Sequence, residues 1–81
     1  MKAAAIKHLA GTQPLSRLRA AEQALLAGRP TSFFIDGDTP GEQLTHVLAA
    51  IFALRYMAAH GVGWPAAQRA FFCKVREAIT C

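Results

Sequence analysis

The sequence predicts an all-α fold: a small three- to four-helix domain with a long central helix and one short extended connector. Three observations carry that expectation. Apolar residues recur at helical spacing through most of the chain. Glycine and proline pairs divide it into segments of helical length. Only Ser32 to Ile35 favours an extended conformation, and no second such segment exists to pair with it in a sheet.

Residues 2–10 fit a short helix that Gly11 would stop, with Ile6 and Leu9 as its large apolar anchors. The first eleven residues read either as a loose arm or as a helix that docks late. Thr12 and Pro14 then open a second helix, in which Leu15, Leu18, Leu25 and Leu26 form a narrow apolar stripe eased by Ala21. Gly28 and Pro30 stop it, since glycine suits a left-handed C-terminal residue and proline cannot continue a helix. Residues 31–38, TSFFIDGD, break the helical pattern, and Asp36-Gly37 is a turn pair. The segment is expected to run as a connector over the helices, the alternative being pairing with its own copy across a dimer axis.

Residues 39–60 organise the chain. Thr39 is a good N-cap, Pro40 fits the first helical position and Glu42 stands where a capping box wants it. At about 100° per residue, Leu44, Val47, Leu48, Ile51 and Leu54 share one side, widened by Phe52, with Arg55 in their midst. His46, Ala49, Ala50, Ala53 and Met57 lie opposite, and their small members invite a close-packed second helix. Gly61-Val62-Gly63 turns the chain into a last helix from Trp64. Its core stripe is Trp64, Ala67, Phe71, Val75 and Ile79, with Phe72 at the edge and Arg69, Cys73 and Arg76 outside.

Composition narrows the function classes. The chain is 53% hydrophobic and 17% charged over 81 residues, one domain spanning 1–81. That is more apolar surface than so short a monomer easily hides, which favours a homodimer or a protein partner. The net charge of +4 is spread over nine Lys and Arg without a run of three. A dedicated nucleic-acid binder concentrates such charge on one face. Lys7 and His8 interrupt any signal-peptide core, although the basic, acid-poor first thirty residues faintly resemble a transit peptide. The longest purely apolar run, Val47 to Leu54, is too short to span a bilayer. No membrane association is expected, and a cytoplasmic setting with Cys73 and Cys81 reduced is.

No metal, cofactor or catalytic residue is expected. His46 and His60 share a helix face, but fourteen residues at about 1.5 Å rise hold them roughly 21 Å apart, so both read as surface or interface histidines. Asp36, Asp38 and Glu42 echo a calcium loop, yet Val47 stands where its closing glutamate belongs. There is no GxSxG, phosphate loop or paired-acid motif around Ser16, Ser32, Cys73 or Cys81. Arg55 is expected either to pack its stem in the stripe while its head snorkels out or pairs with Asp36, Asp38 or Glu77, or to meet an acidic partner across an interface.

The leading expectation is a non-catalytic module that binds, and so regulates or inhibits, a larger protein through Arg55, Arg69, Arg76, Phe33 and Phe34. Phages and plasmids commonly encode small inhibitors of this kind, a general observation that no residue here carries. The runner-up is a dimeric helix-turn-helix transcriptional regulator, with Gln68, Arg69 and Arg76 reaching DNA from the last helix.

Overall fold

A computed structural model of the protein describes residues 2–80, with side chains described through Arg76. Its elements are α1 (Ala3–Thr12), α2 (Leu15–Leu26), α3 (Pro40–His60) and α4 (Trp64–Thr80). The fold is all-α, with no strand among the described residues. α1, α2 and α4 each make their principal contact with α3, which makes that helix the shared support.

The chain enters and leaves these helices through local chemistry. α1 runs through Gly11 and ends at Thr12 instead, because Gln13, the residue before Pro14, is pushed into extended backbone. Thr12 belongs to α1 rather than opening α2, and its hydroxyl donates to the His8 carbonyl at 2.7 Å. α2 stops where expected, with Gly28 left-handed and the Arg29 N–H donating to the Ala24 carbonyl. At α3 the Glu42 N–H donates to Thr39 Oγ1 at 3.1 Å and Pro40 takes the first turn. Gly61, left-handed, closes that helix.

The buried side of α3 takes only part of the predicted leucine stripe: Val47, Ile51 and Leu54 face the core. His46, Val47, Ala49, Ala50, Ile51 and Ala53 are buried, whereas Leu48 is 43% exposed. Alanines let neighbouring helices approach closely. Ile6 and Leu9 of α1 and Leu18 and Ala21 of α2 join them in one core, as does Ala67 of α4. Val47 and Ile51 therefore behave as the leucine stripe predicts, and Leu48 does not. Leu26 also departs from its predicted stripe, at 64% exposed. The side chain of Ile79 lies outside the described residues.

The connector takes the first of its two expected courses and packs over the helices. Ile35 is buried in the core, Phe33 packs on it half-buried, and Phe34 points out. Gly37 adopts φ +151°, and a Cβ there would stand 2.9 Å from the backbone nitrogen of Gln43. Only glycine lets the connector turn this closely onto the start of α3.

His46 locks these parts together. It is fully buried, with Nδ1 2.7 Å from the Asp36 carbonyl oxygen, and the Lys2 N–H donates to Nε2 at 3.0 Å. A carbonyl only accepts, so the Asp36 contact puts the hydrogen on Nδ1 and leaves Nε2 as acceptor. One neutral ring thus joins α3, the connector and the start of α1. Its burial within the chain's own core departs from the surface or interface position expected of it. Two backbone groups meet both ring nitrogens, which removes the penalty for burying them.

Candidate protein-binding surface

Opposite this tightly covered side, α3 and α4 carry a chain of rings, half-buried except for the exposed His60. Phe52, Tyr56 and His60 succeed one another at four-residue spacing, which stacks them along one face of α3. The Phe52 and Tyr56 centroids lie 5.9 Å apart with planes at 25°, and Tyr56 and His60 are 4.3 Å apart. Phe52 reaches α4 through Phe71 at 5.9 Å, and Phe71 meets Phe72 edge-on at 5.4 Å. The Lys74 ammonium sits 5.9 Å from the centre of the Phe52 ring, within cation–π range.

Two hollows flank these rings. One lies along α3, lined by Leu48, Ile51, Phe52, Arg55 and Tyr56. The other lies on the outer side of α4, lined by Pro65, Gln68, Arg69, Phe72, Cys73 and Arg76. Phe71 touches both Phe52, which lines the first, and Phe72, which lines the second, so a run of rings connects the two hollows across α4. Among the described residues, neither hollow has an acidic lining residue.

These hollows collect three of the expected contact residues. Arg55 lines the first and Arg69 and Arg76 the second, and all three are exposed. Arg55 makes no ion pair with a described residue; Asp36 instead faces Lys2, with Nζ 3.5 Å from Oδ1. The Glu77 side chain lies outside the described residues. Arg55 also borders a third apolar hollow, formed with Gln13, Pro14, Leu15, Leu54, Ala58 and Ala59. Gln68, named for the DNA-binding alternative, is half-buried beside Arg69.

The connector phenylalanines lie elsewhere. Phe34, 84% exposed, borders a hollow of α1 residues with His8 and Asp36. Phe33 turns towards the core. The structure therefore does not join them to the arginines of α3 and α4. The sequence pattern places Phe52, Phe71 and Phe72 in packing stripes and gives Tyr56 and Lys74 no role. The four-residue spacing of Phe52, Tyr56 and His60 was the available signal, and it reads equally well as core.

Among the described residues, no group of three or more His, Cys, Asp or Glu is arranged to hold a metal ion. Cys73 is exposed as a free thiol, and Cys81 lies outside the described residues. No described helix is long and apolar enough to cross a membrane.

The chain matches, over residues 1–80, the Family of unknown function (DUF6952), and it belongs to that family. No curated protein and no solved structure matches it.

Proposed function

We propose that this member of the family is a non-catalytic module that binds a larger protein, and so regulates or inhibits it, through the α3–α4 face. The observation that supports this is the uneven covering of α3. One side is closed by α1, α2 and the connector around an alanine seam. The other presents half-buried rings and exposed Leu48 between apolar hollows. A contiguous apolar surface rimmed by polar groups is what protein-binding sites present.

Capture from native lysate with the tagged chain, after nuclease treatment, tests the reading. A stoichiometric protein should be retained, and the doubly reversed variant Arg69→Glu/Arg76→Glu should lose it while keeping its helical circular dichroism and melting temperature. Both residues are exposed on α4, so the fold should tolerate the change. Retention of the same partner by the folded variant would sink the site.

One observation keeps DNA binding as the second reading. The three-residue turn Gly61-Val62-Gly63 joins α3 to α4, and Gln68, Arg69 and Arg76 share a hollow on α4. A duplex gripped this way would bind with steep salt dependence, because phosphate contacts release counterions. Failure to shift any duplex at low salt would remove that alternative.

A further inference from the structure

Charge is unevenly divided along this chain. Residues 43–81 carry four Lys and Arg (Arg55, Arg69, Lys74, Arg76) against the single acid Glu77, so they hold three of the four net positive charges. The first forty-two residues hold five cations against four acids and are nearly balanced. The unpartnered α3–α4 face thus lies in the half of the chain that is strongly cationic.

The geometry along α3 is that of a helix seam. Leu48, Ile51, Phe52, Arg55 and Tyr56 are spaced at i, i+3, i+4, i+7 and i+8, and they line one open hollow. Apolar ridges at that spacing accept a second helix by interdigitation. Arg55 stands in the seam with no carboxylate among the described residues, and Lys74 borders it over Phe52.

A second copy of the chain fits poorly here, because it would bring a second set of the same cations, Arg55 and Lys74, against this one with no described carboxylate between them. A single-stranded nucleic acid needs free ring faces on which bases stack. Phe52 already meets Tyr56, Phe71 and the Lys74 ammonium, and Phe71 and Phe72 meet each other edge-on. Apolar spacing together with unmatched cations describes the complement instead.

We infer that the α3–α4 face docks an amphipathic helix of the partner protein, whose apolar seam packs on Leu48, Phe52 and Tyr56 and whose flanking Asp or Glu residues meet Arg55 and Lys74. This rests on the protein-binding reading and names the chemistry of its partner. The charges would steer the encounter and set the direction of the docked helix, while the apolar seam supplies most of the affinity.

A displayed library of helical peptides, randomised at seam and flanking positions, tests the assignment on the intact chain. Selection should enrich Leu, Phe or Met in the seam and Asp or Glu on its flanks. Arg55→Glu/Lys74→Glu should weaken the selected peptides at least tenfold and, used as bait itself, should enrich Lys or Arg at the same flanks. That inversion cannot come from a misfolded variant. Leu48→Glu, at an exposed position, should also lose the original peptides. Three results would overturn the inference: no peptide enriched, peptides without acidic bias, or the same peptides selected by the charge-reversed bait. Should lysate capture still retain a partner that Arg69→Glu/Arg76→Glu releases, only the helix assignment falls; capture of nothing removes both.

Discussion

Replacing His46 with leucine removes two polar contacts at one stroke while keeping an apolar side chain of similar bulk in the core. The Asp36 carbonyl loses the Nδ1–H donor at 2.7 Å, and the Lys2 N–H loses its Nε2 acceptor at 3.0 Å. The two losses are unequal. Lys2 is exposed, so its N–H finds water and the loss is near the net value of a hydrogen bond, about 0.5–1.5 kcal/mol. Asp36 is partly covered, and an acceptor left there without a donor costs about 1–3 kcal/mol. Apolar burial of the leucine offsets part of this, leaving about 2–3 kcal/mol of destabilisation. A domain of this length has a total of about 4–12 kcal/mol, so the change is a large fraction. The melting temperature should fall by roughly 10–20 °C. Urea titration followed by helical circular dichroism measures the free energy. Hydrogen exchange should show α1 losing protection before α2, since the ring ties the start of α1 to α3 across 44 residues of sequence. A His46→Leu variant within about 0.5 kcal/mol of the parent would refute the reasoning, because surface changes of no consequence fall in that band.

Other perturbations separate backbone, packing and capping effects. Gly37→Ala should destabilise by about 1–3 kcal/mol in urea titration, from the strained φ and the 2.9 Å approach to the Gln43 nitrogen. Gly11→Ala should do the opposite and stabilise by about 0.5–1 kcal/mol, because that glycine is helical with nothing within 4 Å of the added Cβ. Ala50→Leu should destabilise by about 1–3 kcal/mol through overpacking of the α3 seam. Leu48→Ala on the exposed side should cost less than about 1 kcal/mol, so a reversed order would mean that the leucine side is the core after all. Thr39→Ala should cost about 1 kcal/mol by removing the acceptor for the Glu42 N–H, and should slightly fray the start of α3 in hydrogen exchange.

The helix boundaries were largely legible because the groups that set them are local. Thr39, Pro40 and Gly61 bracket α3, and Gly28 with Pro30 ends α2, each through contacts within a few residues. Gly11 misled, since a glycine with space around it continues a helix, and the proline three residues on was the stronger signal. The candidate surface was only half legible. Arg55, Arg69 and Arg76 could be singled out as cations on apolar helices, but the Phe33-Phe34 pair split, with one ring inward and one on a different face. Tyr56 and Lys74 gain their place from neighbours on the other helix, which no single-helix pattern displays.

From its residues alone this chain determines an all-α fold, its long central helix and the points where most helices begin and end, because capping and turn chemistry act within a few residues. Tertiary structure alone decided which side of α3 became the core. That helix is apolar nearly all round, so periodicity leaves the choice open. Packing of α1 and α2 on α3, with Ala49, Ala50 and Ala53 buried, settled it and left Leu48 at the surface. The same packing buried His46, whose two partners, Lys2 and Asp36, reach it only once connector and helices are assembled.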